Sequence, residues 1–292
     1  MSSSSTPEPP LVDYHVHPDY SFDAQGSIDD YCRGALARGL DEICFTTHYD
    51  ADPQYFAQDG WVVVDDRRQP LDQPWLHRYA AEIQAAAETF RPQGLGVKLG
   101  LEVGYFEGVA EHLAPLLAAH PFDYIIGSVH WVDGYALSFN KDCLAWLAGA
   151  GEAACLARYF DQLALAAGCG AFDCIGHSDL YRRTLRRRHQ DELDLPEVRR
   201  AVDRFFGACV DNGVGIEINT RNAHLHPTMI SPGPGLLALA AAAGVRTVTT
   251  GSDAHDPTRV GDGLATGIKA ARAAGFDAIT TFDRRRPTRH PL

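Results

Sequence analysis

Seven short apolar runs recur along the chain, and each ends in polar residues before a segment with helical spacing begins. The runs cover residues 11–17, 42–48, 97–105, 122–132, 172–180, 214–221 and 245–255. Their apolar positions are continuous rather than alternating, which is typical of strands buried on both faces of a parallel sheet. The pattern therefore predicts an α/β protein with seven parallel strands.

The segments between these runs have the spacing of amphipathic helices. Ser27 is placed to cap a helix, with Asp30 three residues later, and an apolar stripe follows. Similar stripes occupy 76–87 and 198–209, the second behind Pro196, a residue suited to the first turn of a helix. This alternation favours a (β/α)7 barrel over an open doubly wound sheet, because chemically active residues end nearly every strand and barrels gather such ends on one face.

Side chains that bind metal ions follow most of the apolar runs. The candidate ligands are His15, His17, Asp23, His48, Glu102, His130, His177, Asp253 and His255. Histidine is not a strand-forming residue and needs a partner when buried, and imidazole with carboxylate suits zinc, iron or manganese. A single HxH pair is a weak signal. The occurrence of potential ligands at most of the successive strand ends, taken together, predicts a metal centre at one mouth of the barrel. The two histidines of HxH would oppose each other on a regular strand, so the backbone must turn there.

Composition and charge narrow the class of protein. The 292 residues are 45% hydrophobic and 22% charged, as in an ordinary globular chain, and predict one domain over 11–292 behind a disordered tail over 1–10. The net charge of −12 argues against nucleic acid as a partner, but a small phosphorylated metabolite is compatible with it because divalent ions reverse the local sign. We expect no association with a membrane. We expect the protein to be a monomer or a small homo-oligomer. The seven cysteines without CxxC spacing predict free, buried thiols of a cytoplasmic protein.

Several motifs resemble the PHP (polymerase and histidinol phosphatase) family of hydrolases. They are DYHVH from Asp13, TTH from Thr46, EINT from Glu217 and GSDAH from Gly251. The stretch HPDYSFDAQGSIDDY from His17 and the closing TFDRRRPTRHPL are similar to the histidinol-phosphate phosphatase branch. The resemblance spans nearly the whole chain and implies a distorted seven-stranded βα barrel that holds three divalent ions of zinc, manganese or iron.

The resemblance also implies how the ligands divide among the three ions. One ion would be held by His15, His17, Glu102 and Asp253. A second would be held by Asp23, His48 and His255. Glu102 would bridge to a third ion, which His130 and His177 complete. Position 23 is Asp where some relatives have His, a difference that bears on metal preference.

The implied activity is hydrolysis of a small phosphate monoester, with L-histidinol phosphate favoured as the substrate. Because coordination lowers the pKa of water to about 7 at a zinc site, a hydroxide shared by two ions would attack phosphorus near neutral pH. The expected catalytic residues are Glu102, Asp253 and His255. Arg221 and Arg182 follow strand ends and are expected to bind phosphate, which guanidinium groups contact bidentately.

The segment 49–74 is long for a loop of a barrel and carries aromatic and acidic residues. It predicts a lid or substrate wall suited to a cationic amine, with a surface excursion as the alternative. The second HxH pair, His224 and His226, is expected in a loop without metal ligation. The remaining histidines are expected to be structural or solvated: His77, His112, His120, His189 and His290.

Two other activities remain open. Members of the same family act on nucleotides or phosphodiesters, and small nucleotides would suit the same metal centre. An amidohydrolase-type amidase or deaminase also begins with HxH on a barrel strand. That class usually needs a bridging Lys at a middle strand end, or in deaminases a single-metal variant, together with a lone Asp at the last strand. No strand end offers a Lys here, and the last one adds His255 to Asp253.

Overall fold

The computed structural model of the protein describes residues 8–71, 74–186 and 190–292. Residues 1–7, most of the predicted tail, lie outside the described residues, and so does His189. Residues 8–10 are without regular secondary structure and lead directly into the first strand.

Seven parallel strands form a nearly closed barrel. In chain order they are β1 (Val12–Val16), β2 (Glu42–Tyr49), β3 (Gly96–Gly104), β4 (Tyr124–Ser128), β5 (Cys174–Ile175), β6 (Gly215–Asn219) and β7 (Val248–Gly251). Each pairs in parallel with the next in sequence. The end of β7 returns to β1, where Asp253 N donates to His15 O at 2.7 Å and His17 N donates to Ala254 O at 2.9 Å. The predicted barrel is therefore confirmed, and the alternative of an open doubly wound sheet is excluded.

The described residues also form ten helices. They are α1 (Ile28–Ala37), α2 (Phe56–Asp59), α3 (Trp75–Phe90), α4 (Val109–Ala119), α5 (Asn140–Ala150), α6 (Glu152–Gly168), α7 (Tyr181–Leu185), α8 (Pro196–Asn212), α9 (Pro234–Ala243) and α10 (Leu264–Ala274). Two predicted helix starts are confirmed. Ser27 caps α1 in a reciprocal capping box with Asp30, and Pro196 is the first residue of α8.

Besides three short 3-10 helices (Arg91–Gln93, Asp191–Asp194 and Pro257–Arg259), the described residues form three two-stranded hairpins. They are Trp61–Val64 with Arg67–Pro70, Trp131–Val132 with Tyr135–Ala136, and Ala278–Asp283 with Arg286–Pro291. The last of them packs its Phe282 against Tyr14 and Tyr124, whose rings meet edge to face at 5.1 Å. Since β1 and β4 are not neighbours in the sheet, this aromatic contact crosses the barrel interior. The interior is therefore filled by side chains and is not a channel.

Burial along the strands agrees with the continuous apolar runs. Every residue of β1, β4 and β6 is buried, as expected for strands enclosed on both faces. All seven cysteines, each within the described residues, are free thiols, and six of them are buried. No helix in the described part of the chain is both long and apolar enough to span a bilayer.

Two glycine positions test how tightly the barrel is packed. A Cβ at Gly127 on β4 would lie 2.2 Å from the ring of buried Phe172, whereas a Cβ at Gly207 in α8 would meet nothing within 4 Å. We expect Gly127→Ala to lower the free energy of unfolding by about 1–3 kcal/mol through overpacking. Gly207→Ala should raise it by about 0.5–1 kcal/mol, because alanine favours the helix. Urea unfolding measures both, and equal effects of the two changes would contradict the packing described.

Candidate metal centre

An irregularity in β1 brings the two histidines of the first HxH pair to the same side of the strand. The register between β1 and β2 shifts between Asp13 and Val16, so the alternation of side chains is broken there. As a result His15 and His17, both fully buried, lie with ring centroids 5.0 Å apart. The backbone turn that the sequence requires at HxH is thus present at this bulge.

The carboxylate of Glu102, near the end of β3, is the centre of the cluster. Its two oxygens lie 2.8–3.4 Å from ring nitrogens of His15, His17, His48, His130 and His177. Burial alone would raise the pKa of Glu102, but the surrounding histidines, His15 foremost, hold it well below its usual range. The carboxylate is therefore ionised and faces nitrogen donors from four other strand ends.

The remaining candidates extend the cluster toward the β7 end. The carboxylate of Asp23 lies 3.2 Å from His255 Nε2 and 3.6 Å from His48 Nε2. Asp253 follows β7 with a left-handed φ of 51°, and its Oδ1 lies 3.7 Å from His17 Nε2. The structure thus brings all nine predicted ligand residues into one contiguous cluster at the carboxyl ends of the strands.

The donor atoms of this cluster fit divalent metal ions. Four sets of three donors each have their atoms within 4.8 Å of one another: His17, His48 and His255; His15, His17 and Glu102; His15, His177 and Asp253; and Glu102, His130 and His177. Within the described residues, the buried Nε2 atoms of His15 and His17 lack hydrogen-bond partners. A buried polar nitrogen without a partner is costly, and a coordinated cation removes that cost.

Two carboxylates outside the predicted set orient the histidines. Glu217 Oε1 lies 2.6 Å from His15 Nδ1, and Asp50 Oδ1 lies 3.0 Å from His130 Nδ1. Each contact fixes one ring nitrogen, so that the other points at Glu102, an arrangement that raises ligand basicity. Sequence reasoning missed these two roles, although Glu217 begins the EINT motif within β6 and Asp50 directly follows β2.

Two arginines bracket the carboxylate of Asp253. Arg221 Nη1 donates to its Oδ1 at 2.8 Å, and Arg183 Nη2 donates to its Oδ2 and, at 3.2 Å, to Asn219 Oδ1. Burial alone would raise the pKa of Asp253, but Arg221, followed by Arg183, holds it well below its usual range. Both guanidinium groups line the same cavity as the metal centre.

Arg182 is placed differently from its expected role in phosphate binding. It is only 3% exposed, and it donates to Asp179 Oδ2 at 3.1 Å and to the carbonyl oxygens of Ile230 and Thr228 at 2.8 and 3.2 Å. It does not line the cavity, whereas its neighbour Arg183 does. The position expected for Arg182 is therefore wrong: successive helical residues point about 100° apart, and packing turns Arg183, not Arg182, toward the cavity.

The cavity in front of the cluster has a volume of about 280 Å³. Besides the residues above, its walls include Phe22, Asp50, Asp59, Trp131 and Phe139. Asp50 and Asp59 come from the segment 49–74, whose described part forms helix α2 and the hairpin Trp61–Val64 with Arg67–Pro70. That segment therefore builds part of the wall of the site.

The second HxH pair lies in a loop apart from the cluster. His224 Nδ1 is 3.0 Å from Arg221 O, and His226 Nδ1 is 2.9 Å from Thr228 Oγ1. Neither residue belongs to a group of potential metal donors among the described residues. The expected loop role fits this geometry.

A nearly closed parallel barrel with clustered histidines and carboxylates at its carboxyl mouth defines a metal-binding α/β barrel protein. The chain belongs to the PHP domain family, whose model matches residues 13–221. The family resemblance found in the sequence is thereby confirmed.

Similar proteins match almost the full length of the chain. A probable histidinol-phosphatase of Deinococcus radiodurans is 32% identical over 270 residues, which cover 92% of this chain and 96% of the relative. The histidinol-phosphatase of Lactococcus lactis is 25% identical over 272 residues, covering 93% and 94% of the two chains. The crystal structure of the histidinol phosphate phosphatase of L. lactis, complexed with zinc, L-histidinol and phosphate, has a TM-score of 0.76 at 22% identity and covers 95% of this chain and 98% of that one. This structural likeness shows the fold.

The contact between Glu217 and His15 predicts a measurable effect on metal affinity. We expect Glu217→Gln to weaken metal binding by about 10- to 100-fold, because His15 loses the carboxylate that fixes its ring and raises its basicity. Competition with a chromophoric chelator measures the affinity. Glu88→Gln, a change of the same kind at an exposed position on α3, is the control and should leave it unchanged. An unchanged affinity in Glu217→Gln would exclude the orienting role.

Proposed function

We propose that the protein is a metal-dependent phosphatase that hydrolyses L-histidinol phosphate to L-histidinol and phosphate. The observation that carries the proposal is the placement of a metal-binding cluster and two arginines, Arg183 and Arg221, around one small cavity. Relatives that match more than nine-tenths of the chain are named histidinol-phosphatases, which supports this substrate.

The nine clustered side chains would hold three divalent ions of zinc, manganese or iron. The four overlapping donor sets support more than one ion, and the central position of Glu102 suits a bridging ligand. When bound, such ions lower the pKa of coordinated water and neutralise negative charge on a phosphoryl group. In this proposal Glu102, Asp253 and His255 bind the metal ions and position them beside the reacting phosphate.

Arg183 and Arg221 would bind the phosphate oxygens. Each guanidinium carries five N–H donors, so a group that holds Asp253 with one or two of them retains others for a phosphate. The carboxylate between them offsets the repulsion of the two like charges, so that both remain at the wall before the substrate arrives. Arg221 Nη1 also lies 2.8 Å from His255 Nδ1, which links the phosphate-binding side to the metal-binding side.

The activity itself is tested by phosphate release from a panel of esters in the presence of manganese, zinc or iron. We expect the purified protein to prefer L-histidinol phosphate, and His255→Ala to reduce turnover by about 100-fold or more, because a metal-binding side chain is lost. His226→Ala is the matched control, since that imidazole lies outside the cluster. Comparable rates on nucleotides or cyclic nucleotides would favour the phosphodiester alternative, and comparable rates across unrelated esters would defeat the substrate assignment.

The two neighbouring arginines of α7 should give opposite phenotypes. Arg183→Ala is expected to raise KM for the phosphate ester by about 10-fold or more, because it removes a charge-assisted contact at the cavity. Little stability should be lost, since Asp253 keeps Arg221 as its cationic partner. Arg182→Ala is expected to lower the free energy of unfolding by about 3–5 kcal/mol, because the buried Asp179 loses its cationic partner. Steady-state kinetics and urea unfolding of both variants check this. A kinetic defect in a fully stable Arg182→Ala protein would restore the original assignment.

A further inference from the structure

Carboxylates line the cavity, and all but one of them are engaged with basic groups. Five line it: Asp23, Asp50, Asp59, Glu102 and Asp253. Four lie within ion-pair distance of a histidine or arginine: Asp23, Asp50, Glu102 and Asp253. Among the described residues, Asp59 has no such basic partner, and its side chain accepts a hydrogen bond from Trp131 Nε1 at 2.6 Å. A neutral indole satisfies one oxygen, so the carboxylate has no ion-pair partner in contact with it, although His130 and His48 attract its charge from farther away.

The surrounding contacts fix the position of Asp59. It is the last residue of α2, and its backbone N donates to Tyr55 O at 3.1 Å. The ring of Tyr55 stacks on the indole of Trp131, with centroids 4.1 Å apart and planes inclined by 8°. The stacked indole therefore aims its N–H at Asp59, and the carboxylate is held at the wall instead of rotating freely into solvent.

The charges of the cavity are segregated. Arg183 and Arg221 are grouped at Asp253, whereas Asp59 and Trp131 belong to the wall formed by segment 49–74 and the residues after His130. Burial, together with nearby Asp50, raises the pKa of Asp59, and the hydrogen bond from Trp131 and the more distant His130 and His48 oppose that rise. A half-buried carboxylate that makes no direct ion pair becomes more stable when a ligand brings a positive charge into contact with it.

We propose that Asp59 is a specificity-determining residue that pairs with the ammonium group of the substrate, with the indole of Trp131 as the apolar face beside it. The inference rests on the proposed function, because the phosphate of the same molecule would occupy the arginine side. The ammonium is preferred over the imidazole as the partner, since an imidazole with a pKa of about 6.5 is mostly neutral above pH 7. The site thus selects phosphate esters that carry a cation.

The test compares Asp59→Asn with the unchanged protein on three esters. They are L-histidinol phosphate, the same ester without its amino group, and L-phenylalaninol phosphate, which keeps the amine and lacks the imidazole. Asparagine retains an acceptor for the Trp131 N–H and removes only the charge. We expect kcat/KM to fall by about 10- to 100-fold on both amine-bearing esters, mainly through KM, and to change less than about twofold on the amine-free ester.

Asp66→Asn provides a matched control, because Asp66 is exposed on the same segment and does not line the cavity. It should leave all three rates unchanged. Equal losses on all three esters, no loss on any, or a loss confined to the imidazole-bearing esters would each overturn the assignment of Asp59. Failure of the proposed function is visible separately, since the unchanged protein would then not turn over L-histidinol phosphate, and that result would overturn both.

Discussion

The arrangement of side chains at the mouth of the barrel depends on the contacts between the buried carboxylate of Glu102 and the histidines around it. An ionised carboxylate without water costs several kcal/mol unless opposite charges or donors surround it, and here five imidazoles do so at 2.8–3.4 Å. Those imidazoles come from the ends of β1, β2, β4 and β5, so the contact requires these strands to converge around β3. The barrel brings them together. The two-residue length of β5 lets the chain leave the sheet just before His177.

Two further carboxylates, those of Glu217 and Asp50, fix the orientation of histidines that surround Glu102. Each contacts the Nδ1 atom of a histidine, His15 or His130, and leaves the Nε2 atom facing Glu102. Glu217 also accepts a hydrogen bond from His177 N at 2.8 Å, so one side chain on β6 orients groups on β1 and on the loop after β5. These carboxylates therefore lie where cations are needed, and bound cations make a net charge of −12 compatible with an anionic substrate.

The sequence predicts the parts of this arrangement that depend on local pattern. Apolar runs identify all seven strands, and the strand-end rule identifies the histidines and carboxylates of the cluster, because parallel strands direct their ends to one mouth. Three features depend on tertiary contacts and could not be assigned to a particular residue. The choice between Arg182 and Arg183 depends on how α7 packs, and the role of Glu217 depends on a distance across β6 and β1. Segment 49–74 was predicted as a wall suited to a cationic amine, but no periodic pattern distinguishes Asp59 from its other acidic residues.

In the proposed function, the position of Asp253 between two arginines affects how tightly phosphate binds. The carboxylate holds Arg183 and Arg221 in place, and so lowers the entropy cost of positioning them when a substrate arrives. The same carboxylate competes with phosphate for their N–H donors, and it repels the incoming anion. Cations that share the charge of Asp253 weaken both effects, so phosphate binding at the arginines and metal binding at the cluster should strengthen each other. The bracketing of one carboxylate by two guanidinium groups is thus a physical basis for coupling the two sides of the cavity.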